Sequence, residues 1–177
     1  MFVSAFCALL CGASLAVMLF ILRLITVLRA GAECKPAKQG SVCVLIVVGS
    51  GGHTTEIIRL TGSLSQTYTP RHYVIADTDK MSEDKIRTFE ASKEKSGTQA
   101  QVLCNGPGTC IPLCAAGLLL GILGLKRVLL VYVESICRVE SLSLSGKILY
   151  HLADYFFVQW KPLQNKYPKS IYIGRIV

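Results

Sequence analysis

The apolar residues of this chain form one long N-terminal run and several shorter runs that are separated by polar segments. The first 22 residues contain no charged side chain, and a helix of that length spans about 33 Å, which is enough to cross a bilayer. Residues 42–48 are seven apolar residues without polar alternation, a pattern typical of a strand buried on both faces of a parallel sheet. We therefore predict a transmembrane anchor over residues 1–22 and a domain that begins at residue 42.

Short apolar runs alternate with stretches of helical periodicity through the rest of the chain. Further strands are predicted at residues 72–76, 102–104, 128–133, 155–159 and 171–173, and helices are predicted to begin near residues 54, 81, 112 and 142. The polar residues 92–101 are predicted to form a loop, and residues 23–41 a juxtamembrane linker. Strands that alternate with helices indicate one α/β domain over residues 42–177 with a mainly parallel sheet.

The N-terminal run has a second interpretation as a cleaved signal peptide, because Ala30-Gly31-Ala32 resembles a cleavage site. No basic residue precedes the run, and the run is longer than the apolar region of a signal peptide, so we favour an anchor. The positive-inside rule predicts that the segment after the helix lies in the cytosol. This segment contains four basic residues and one acidic residue: Arg23, Arg29, Lys35 and Lys38, and Glu33.

Composition narrows the class of protein. A hydrophobic content of 51% with a net charge of +8 fits a membrane-associated protein. Nucleic acid is not expected as a partner, because basic and acidic residues are mixed and no known binding motif occurs. The chain has eight cysteines but no Cys-x-x-Cys pair, which favours a reducing compartment without a disulfide framework, and no metal site is expected. Cys34 is a juxtamembrane candidate for palmitoylation.

A glycine-rich turn follows the first strand of the domain at once, and a helix begins after it. Glycine permits positive φ and a close approach of the backbone to a ligand, and the free N–H groups of a first helical turn carry a partial positive charge. We therefore predict a phosphate seat formed by Gly49, Ser50, Gly51, Gly52 and Thr54.

Two alternatives for this turn stay open. A P-loop is excluded, because no Gly-Lys-Ser/Thr sequence follows. A dinucleotide fingerprint fits Gly49 and Gly51 but has Thr54 in place of its third glycine, and Asp77 follows the next strand where a ribose-binding carboxylate is expected. A membrane-anchored, nicotinamide-dependent oxidoreductase is the first alternative. The second is a non-catalytic scaffold whose turn binds no ligand.

A second glycine loop, with Asn105, Gly106 and Gly108, follows the strand at residues 102–104, and Glu134 follows the strand at residues 128–133. The carboxyl ends of parallel strands lie on one edge of a sheet, so both loops and Glu134 are expected to face one crevice. Two loops that present backbone N–H groups to each other suit a diphosphate. We predict that Asn105, Gly106 and Gly108 complete the seat.

His53 and Glu134 are the candidates for acid–base chemistry. His53 either deprotonates or orients an acceptor hydroxyl, or it only caps its helix. Glu134 either faces a sugar or is an ordinary acid at the N-terminus of a helix.

Two further segments have both a structural and a membrane interpretation. The apolar helix at residues 113–123 is too short to cross a bilayer, so it is either a core helix or inserts shallowly into the membrane surface. The last stretch of the chain forms either a solvated face or a contact with anionic lipid, because its charged residues are all basic: Lys161, Lys166, Lys169 and Arg175.

Four segments carry a family resemblance: residues 44–56 (VLIVVGSGGHTTE), 71–79 (RHYVIADTD), 103–110 (LCNGPGTC) and 131–135 (VYVES). They resemble the membrane-anchored subunit of the eukaryotic UDP-N-acetylglucosamine transferase, and the resemblance covers nearly the whole chain. More distantly, the turn that ends at His53, the Gly106-Pro107-Gly108 turn and Glu134 resemble the N-terminal half of the bacterial transferase that glycosylates an undecaprenyl-linked cell-wall precursor.

The resemblance implies a single Rossmann-like domain, equivalent to the N-terminal half of a GT-B glycosyltransferase, on a single-pass anchor in the endoplasmic reticulum membrane. It implies the acceptor side of the enzyme that adds the second N-acetylglucosamine to dolichyl-diphosphate-N-acetylglucosamine in protein N-glycosylation, on the cytosolic face. A soluble, donor-binding catalytic subunit is implied to dock through the C-terminal region. The chain is not expected to be catalytic alone or to use a cofactor.

The chain departs from this family in one place. Family members have an additional segment, which looks like a strand and a helix, between Phe89 and Val102, where this chain has a short polar loop. Loss of a strand and a helix is expected to expose apolar surface on the elements that neighbour them.

Overall fold

The computed structural model describes residues 2–32, 42–90, 99–106 and 108–176, and within them six strands form one sheet. The strands are β1 (Val42–Val47), β2 (Arg71–Val74), β3 (Gln99–Asn105), β4 (Leu129–Val133), β5 (Tyr155–Val158) and β6 (Ile171–Tyr172). Every pairing is parallel, in the order β2-β1-β3-β4-β5-β6. The predicted α/β fold with a parallel sheet is therefore confirmed.

Six helices lie in the described residues, and all except the first connect successive strands, as parallel pairing requires. They are α1 (Phe2–Ala32), α2 (Gly52–Gly62), α3 (Lys80–Glu90), α4 (Cys110–Ile122), α5 (Leu144–Leu152) and α6 (Lys161–Lys166). The predicted starts of the strands and of α2 to α5 lie within three residues of the observed ones. The sequence analysis missed α6, a short helix that has proline in its first turn.

The strand order reverses at β1. The chain passes from β1 to β2 on one side and then returns to place β3 on the other side. Val47 near the end of β1 pairs with Cys104 near the end of β3, so the loops that follow these two strands begin at the same level. This is the topological switch point at which open α/β sheets bind ligands.

The sheet has an apolar cluster on each face. One cluster lies under α4 and α5 and includes Cys104, Tyr132 and Phe156, which are all at most 1% exposed. The other lies under α2 and α3 and includes Ile46 and Ile57, both 0% exposed. Burial on both faces explains why the central strands are apolar without alternation.

Strand β3 begins inside the segment that the sequence analysis predicted as a loop over residues 92–101. Gln99 pairs with Val42, and Gln101 pairs with Val44 and is buried. The loop prediction for residues 99–101 was based on the polar side chains of Gln99 and Gln101, and it was wrong. The backbone of these residues pairs with β1, and Gln101 also pairs with β4. Residues 91–98 of the predicted loop lie outside the described part of the chain.

Helix α1 is the one helix in the described residues that is long and apolar enough to cross a membrane. Its window Leu10–Arg29 has a mean hydropathy of 2.3, and none of that window is buried against the domain. The helix continues past the predicted end of the anchor at Leu22 as far as Ala32. Residues 33–41, which include the palmitoylation candidate Cys34, lie outside the described residues.

The last turns of α1 pack against the C-terminal half of α4. The Arg23 Nε donates a hydrogen bond to the Ile122 carbonyl at 3.2 Å. Val27 lies beside Gly121, where an added Cβ would come within 3.2 Å of its side chain. The end of α1 is thereby attached to the domain at α4.

Candidate functional site

Both predicted glycine turns have a residue with positive φ at the switch point. Gly51 in the β1–α2 turn and Gly106 in the β3–α4 turn each have a φ of 67°. An L-residue in this region is strained, so both positions require glycine. Gly51 is exposed and Gly106 is buried, because the ring of His53 lies over it.

The two helices that start at the switch point begin without a side-chain cap, whereas their neighbours are capped. The N-cap residues Gly51 of α2 and Thr109 of α4 make no capping side-chain bond in the described residues. In α3, Asp79 Oδ1 accepts from Ser82 N at 3.1 Å, and in α5 Ser143 Oγ accepts from Gly146 N at 2.9 Å. Uncapped first turns carry N–H groups and positive dipole ends suited to an anion.

The residues predicted to seat a diphosphate divide into exposed and buried ones. Ser50, Gly52 and Gly108 are exposed at the loops, like Gly51. Thr54 is 1% exposed, and its hydroxyl donates to the Gly49 carbonyl at 2.7 Å and lies 2.7 Å from Ser82 Oγ. The Thr54 side chain thus holds the turn together from inside and does not face a ligand.

His53 and Asn105, one from each loop, are joined by a hydrogen bond of 2.9 Å between His53 Nδ1 and Asn105 Oδ1. Asn105 is 0% exposed, and its Nδ2 donates to Glu56 Oε2 at 2.8 Å. Since the amide nitrogen donates to the carboxyl group, the amide oxygen is left to accept from His53. This assigns the Nδ1–H tautomer to the neutral ring and places the lone pair on Nε2.

Glu56, the carboxyl group that accepts the Asn105 hydrogen bond, was missed by the sequence analysis. It is 3% exposed and accepts from Asn105 Nδ2, from Ser135 Oγ at 3.1 Å and from Gln159 Nε2 at 3.3 Å. A signal was available, because Glu56 follows His53 by three residues and residues at that spacing share one face of a helix. Gln159 could also have been identified from the sequence, by a different rule. It directly follows the end of β5, at the edge of the sheet where ligands are expected.

Glu134 is brought to the same edge of the sheet but not to the surface of the crevice. It is 0% exposed, its Oε1 accepts from Ser135 N at 3.2 Å, and its Oε2 accepts from Ser143 N and Oγ, both at 3.1 Å. Burial raises the pKa of this carboxyl group, and the hydrogen bonds from Ser143 partly oppose that rise. In this placement Glu134 fastens the start of α5, which matches the alternative of an acid at a helix N-terminus.

Tyr132 of β4 supports the second loop from below. Its hydroxyl donates to the Gly106 carbonyl at 3.4 Å and lies 3.2 Å from Ser143 Oγ. Burial raises the pKa of this phenol, so it stays a neutral donor. Cys104, which precedes this loop, and Cys114 of α4 are free cysteines. Their Sγ atoms lie 3.6 Å apart, within hydrogen-bond distance, and form no disulfide.

Asp77 follows β2, on the side of β1 that faces away from β3. Its side chain is fully exposed, and one oxygen lies 3.8 Å from Lys80 Nζ. No described group of His, Cys, Asp and Glu side chains forms a cluster that could hold a metal ion.

Comparison with known proteins places the chain in a family. The family model described as "Oligosaccharide biosynthesis protein Alg14 like" matches residues 44–102 and 97–176. The chain is 48% identical to the UDP-N-acetylglucosamine transferase subunit ALG14 of Homo sapiens, over 95% of this chain and 97% of that protein. It is 47% identical to the subunit of the same name from Rattus norvegicus, over 90% of this chain and 93% of that protein.

A more distant relative, the UDP-N-acetylglucosamine transferase subunit ALG14 of Yarrowia lipolytica, is 34% identical over 95% of this chain and 98% of that protein. No solved structure matches the chain significantly. The family model covers both glycine loops and most of the sheet, and these relatives align along 90% or more of the chain. This chain therefore belongs to the Alg14 family of oligosaccharide biosynthesis proteins.

Proposed function

We propose that this chain is the membrane-anchored, acceptor-side subunit of a UDP-N-acetylglucosamine transferase. It presents dolichyl-diphosphate-N-acetylglucosamine, on the cytosolic face of the endoplasmic reticulum, to a soluble subunit that binds the nucleotide sugar. The observation that carries this proposal is the pair of uncapped helix N-termini, α2 and α4, which meet across the switch point. The relatives support the reaction, because their names describe a transferase subunit.

The diphosphate is proposed to lie between the two loops. The backbone of Gly49, Ser50, Gly51 and Gly52 would bind it from one side, and that of Asn105, Gly106 and Gly108 from the other. The Asn105 and Thr54 side chains are occupied inside the domain, so their part in this site is to shape the loops.

His53 is proposed to handle the acceptor hydroxyl. With Nδ1–H donated to Asn105, the Nε2 lone pair of the neutral ring is the acceptor for the hydroxyl proton when the oxygen attacks the sugar donor. Glu134 is proposed to position α5 and not to take part in proton transfer, because both its oxygens are engaged in the interior.

The surface of α4 supports a lipid-linked acceptor. The helix carries no charged residue, and its exposed positions recur at the spacing of one helical face: Pro112, Ala115, Ala116, Leu119, Leu120 and Leu123. This apolar stripe runs for about 20 Å from the second glycine loop to the end that α1 contacts. We propose that it lies in the membrane surface and brings the crevice to the lipid headgroups.

A second subunit is proposed to supply the nucleotide-sugar site and to dock through the C-terminal region. The apolar side chains of Ile171, Tyr172 and Ile173 are each about 40% exposed at the edge of the sheet, which suits such a contact. The neighbouring cations make ring contacts of their own, with Arg175 lying 5.4 Å from the centre of the Trp160 ring.

We also propose that the chain lacks an internal segment of its family. The family model matches in two blocks that meet at residues 97–102, and the alignment with the human relative spans 212 positions against 177 residues here. An open apolar groove of about 410 Å³ lies on the sheet face beside this junction. Its lining includes Leu64, Leu103, Val131 and Phe157, the kind of surface that a missing strand and helix would leave.

The test is transfer of N-acetylglucosamine to a dolichyl-diphosphate-N-acetylglucosamine acceptor in liposomes, with the full chain alone, the soluble nucleotide-sugar-binding subunit alone, or both. Transfer that requires both supports the proposal, and transfer by the chain alone overturns it. Unchanged activity of the complex after Gly51→Val or His53→Ala would favour the scaffold alternative. Binding of a nicotinamide cofactor that is lost on Asp77→Ala would favour the oxidoreductase.

A further inference from the structure

We propose that a buried row of hydrogen bonds connects the C-terminal segment of the chain to His53, with Gln159 and Glu56 as positioning residues. Docking of a partner on the C-terminal segment would then hold Glu56 and Asn105 in place and, through them, the orientation of the His53 ring. This inference rests on the proposed function, which gives His53 the acceptor hydroxyl and gives the C-terminal region to the partner.

The row runs through four side chains and one backbone group without a break. Ile176 N donates to Gln159 Oε1 at 3.0 Å, and Gln159 Nε2 donates to Glu56 Oε2 at 3.3 Å. The same carboxyl oxygen accepts from Asn105 Nδ2 at 2.8 Å, and Asn105 Oδ1 accepts from His53 Nδ1 at 2.9 Å. The participants come from the C-terminus, the end of β5, helix α2 and the end of β3.

Burial gives each of these bonds a fixed direction. Gln159, Glu56 and Asn105 are 1%, 3% and 0% exposed, so water does not replace a lost partner. The Ile176 backbone N–H can only donate, and the Glu134 carbonyl, 3.1 Å from Gln159 Nε2, can only accept. Together they fix Gln159 Oε1 as the acceptor and Nε2 as the donor to Glu56. If the side-chain amide of Gln159 or Asn105 were rotated by 180°, a donor would face a donor at one end of that amide and an acceptor would face an acceptor at the other. Such a flip would leave buried groups unpaired.

The consequence at His53 is orientation and not proton relay. An amide between Glu56 and His53 cannot pass a proton onward, so the row holds the ring by its Nδ1–H and leaves Nε2 with the lone pair. Gly106 also lies against the ring, where an added Cβ would be 2.5 Å from His53 Cε1 and 2.9 Å from Nδ1. This packing contact and the hydrogen bond to Asn105 together hold the ring.

The C-terminal end of the row is the one that a partner can reach. Residues 171–173 and 175 are exposed, whereas Ile176 packs on the apolar cluster beneath α2 and α3. Ile173 N donates to the Val158 carbonyl at 3.1 Å, and Gly174 then turns the chain with a φ of 77° so that Ile176 reaches Gln159. A protein bound to the exposed residues would hold the Ile176 N–H in place.

The experiment uses the full chain in detergent, with and without the soluble subunit, and reads the ring nitrogens of His53 by ¹⁵N NMR. Ile176→Pro removes the N–H at the start of the row, and Ile176→Ala is the matched control that keeps it. We expect Ile176→Pro to shift or broaden the His53 ring-nitrogen signals, because Gln159 and Glu56 then hold Asn105 less firmly, and we expect Ile176→Ala to leave these signals unchanged. We expect Gln159→Leu to change the signals also and to lower kcat of the complex about tenfold with little change in KM.

The outcomes separate this inference from the proposed function. If both Ile176→Pro and Gln159→Leu keep the ring-nitrogen signals and the kcat of the unsubstituted complex, while His53→Ala abolishes transfer, the row is overturned and the function stands. If His53→Ala transfers normally, the role of His53 in the proposed function fails. Co-purification with the soluble subunit shows whether Ile176→Pro acts on docking instead, and the ring-nitrogen signals of the chain without partner then decide.

Discussion

Gly106 lies directly against the imidazole of His53, so close that a Cβ on Gly106 would stand 2.5 Å from His53 Cε1 and 2.9 Å from Nδ1. The contact joins two loops that are distant along the chain. The hydrogen bond between His53 and Asn105, which are 52 residues apart, is a second contact between the same two loops. The absence of a side chain at Gly106 is therefore part of what positions the ring.

Replacing Gly106 with alanine should displace His53. The new methyl group would overlap the ring and force it to move, and the φ of 67° would add about 1–2 kcal/mol of backbone strain for an L-residue. We expect kcat/KM for transfer by the complex with the soluble subunit to fall at least about tenfold, because the ring is displaced and Gly106 belongs to the proposed diphosphate seat. Steady-state kinetics on the liposome-bound complex measures this.

Gly62→Ala is the control for this substitution. Gly62 lies at the end of the same helix α2, and an added Cβ would meet only the Phe89 ring at 3.9 Å, an ordinary contact. We expect it to retain its kcat. Equal kinetics for Gly106→Ala and the unsubstituted chain would show that the position of the His53 ring does not matter for transfer.

Glu56→Ala should destabilise the domain strongly. It would leave buried donors on Asn105 and Ser135 without this acceptor, and Gln159 Nε2 would keep only the Glu134 carbonyl at 3.1 Å. A buried donor left without an acceptor costs about 1–3 kcal/mol, so we expect the losses from Asn105 and Ser135 to add. Chemical denaturation of the full chain in detergent, followed by circular dichroism, measures the free energy of unfolding.

Glu83→Ala is the comparison for Glu56→Ala. Glu83 also accepts hydrogen bonds, from Arg87 at 2.7 Å and from Lys80, but all three side chains are on the surface of α3. Exposed pairs of this kind contribute little, so we expect a much smaller loss. Similar losses for the two variants would contradict the structural importance of the Glu56 network.

The sequence predicted those features of the site that depend on short stretches of the chain. The turn around Gly51 could be recognised because glycines follow a buried strand at once, and the crevice followed from the rule that parallel strands end on one edge. The positive φ of Gly51 confirms the glycine turn, and the strand order confirms that the loops after β1 and β3 lie at one edge of the sheet, whereas the ligand crevice stays a prediction.

The features that were missed depend on contacts between distant parts of the chain. Glu56 meets Asn105 and Gln159 across 49 and 103 residues, and its spacing from His53, which places both residues on one face of α2, does not identify these partners. The start of β3 was missed because backbone pairing with β1, and not apolar side chains, determines it. The direction of the Glu134 side chain depends on Ser143 at the start of α5, which one strand pattern cannot reveal.

Burial of Glu134 predicts a pH dependence of stability. Burial raises its pKa in the folded chain above the usual value of about 4.5, so the folded state binds the proton more tightly than the unfolded state. Stability should therefore fall as pH rises from about 4.5 through the folded pKa, by about 1.4 kcal/mol for each unit between the two values. Glu134→Gln cannot ionise and should show a shallower fall across this range in denaturation curves.

The fall should not vanish in Glu134→Gln, because burial also raises the pKa of Asp154 and gives a contribution of the same sign. Glu83→Gln is the control. The hydrogen bond from Arg87 lowers the pKa of Glu83, so its removal does not make the fall shallower. If Glu134→Gln and the unsubstituted chain had the same slope, Glu134 would not be titrating in the buried environment described above.

The apolar stripe on α4 predicts a specific contact with lipid. Leu123 is 68% exposed and lies next to the turn where Arg23 of α1 bonds to Ile122. A tryptophan at this position, in a Trp160→Phe background that removes the single native tryptophan, reports its surroundings by fluorescence. In liposomes that contain lipids brominated on the acyl chains, we expect strong quenching of Leu123→Trp because the stripe lies at the membrane surface.

Met81→Trp in the same background is the matched control for Leu123→Trp. Met81 is also 68% exposed, but it lies on α3, which packs on the opposite face of the sheet from α4. We expect it to stay unquenched, because a domain that rests on the α4 stripe holds α3 away from the bilayer. Equal fluorescence of Leu123→Trp with and without brominated lipid would mean that α1 alone contacts the membrane, and the acceptor would then have to reach the crevice without the stripe.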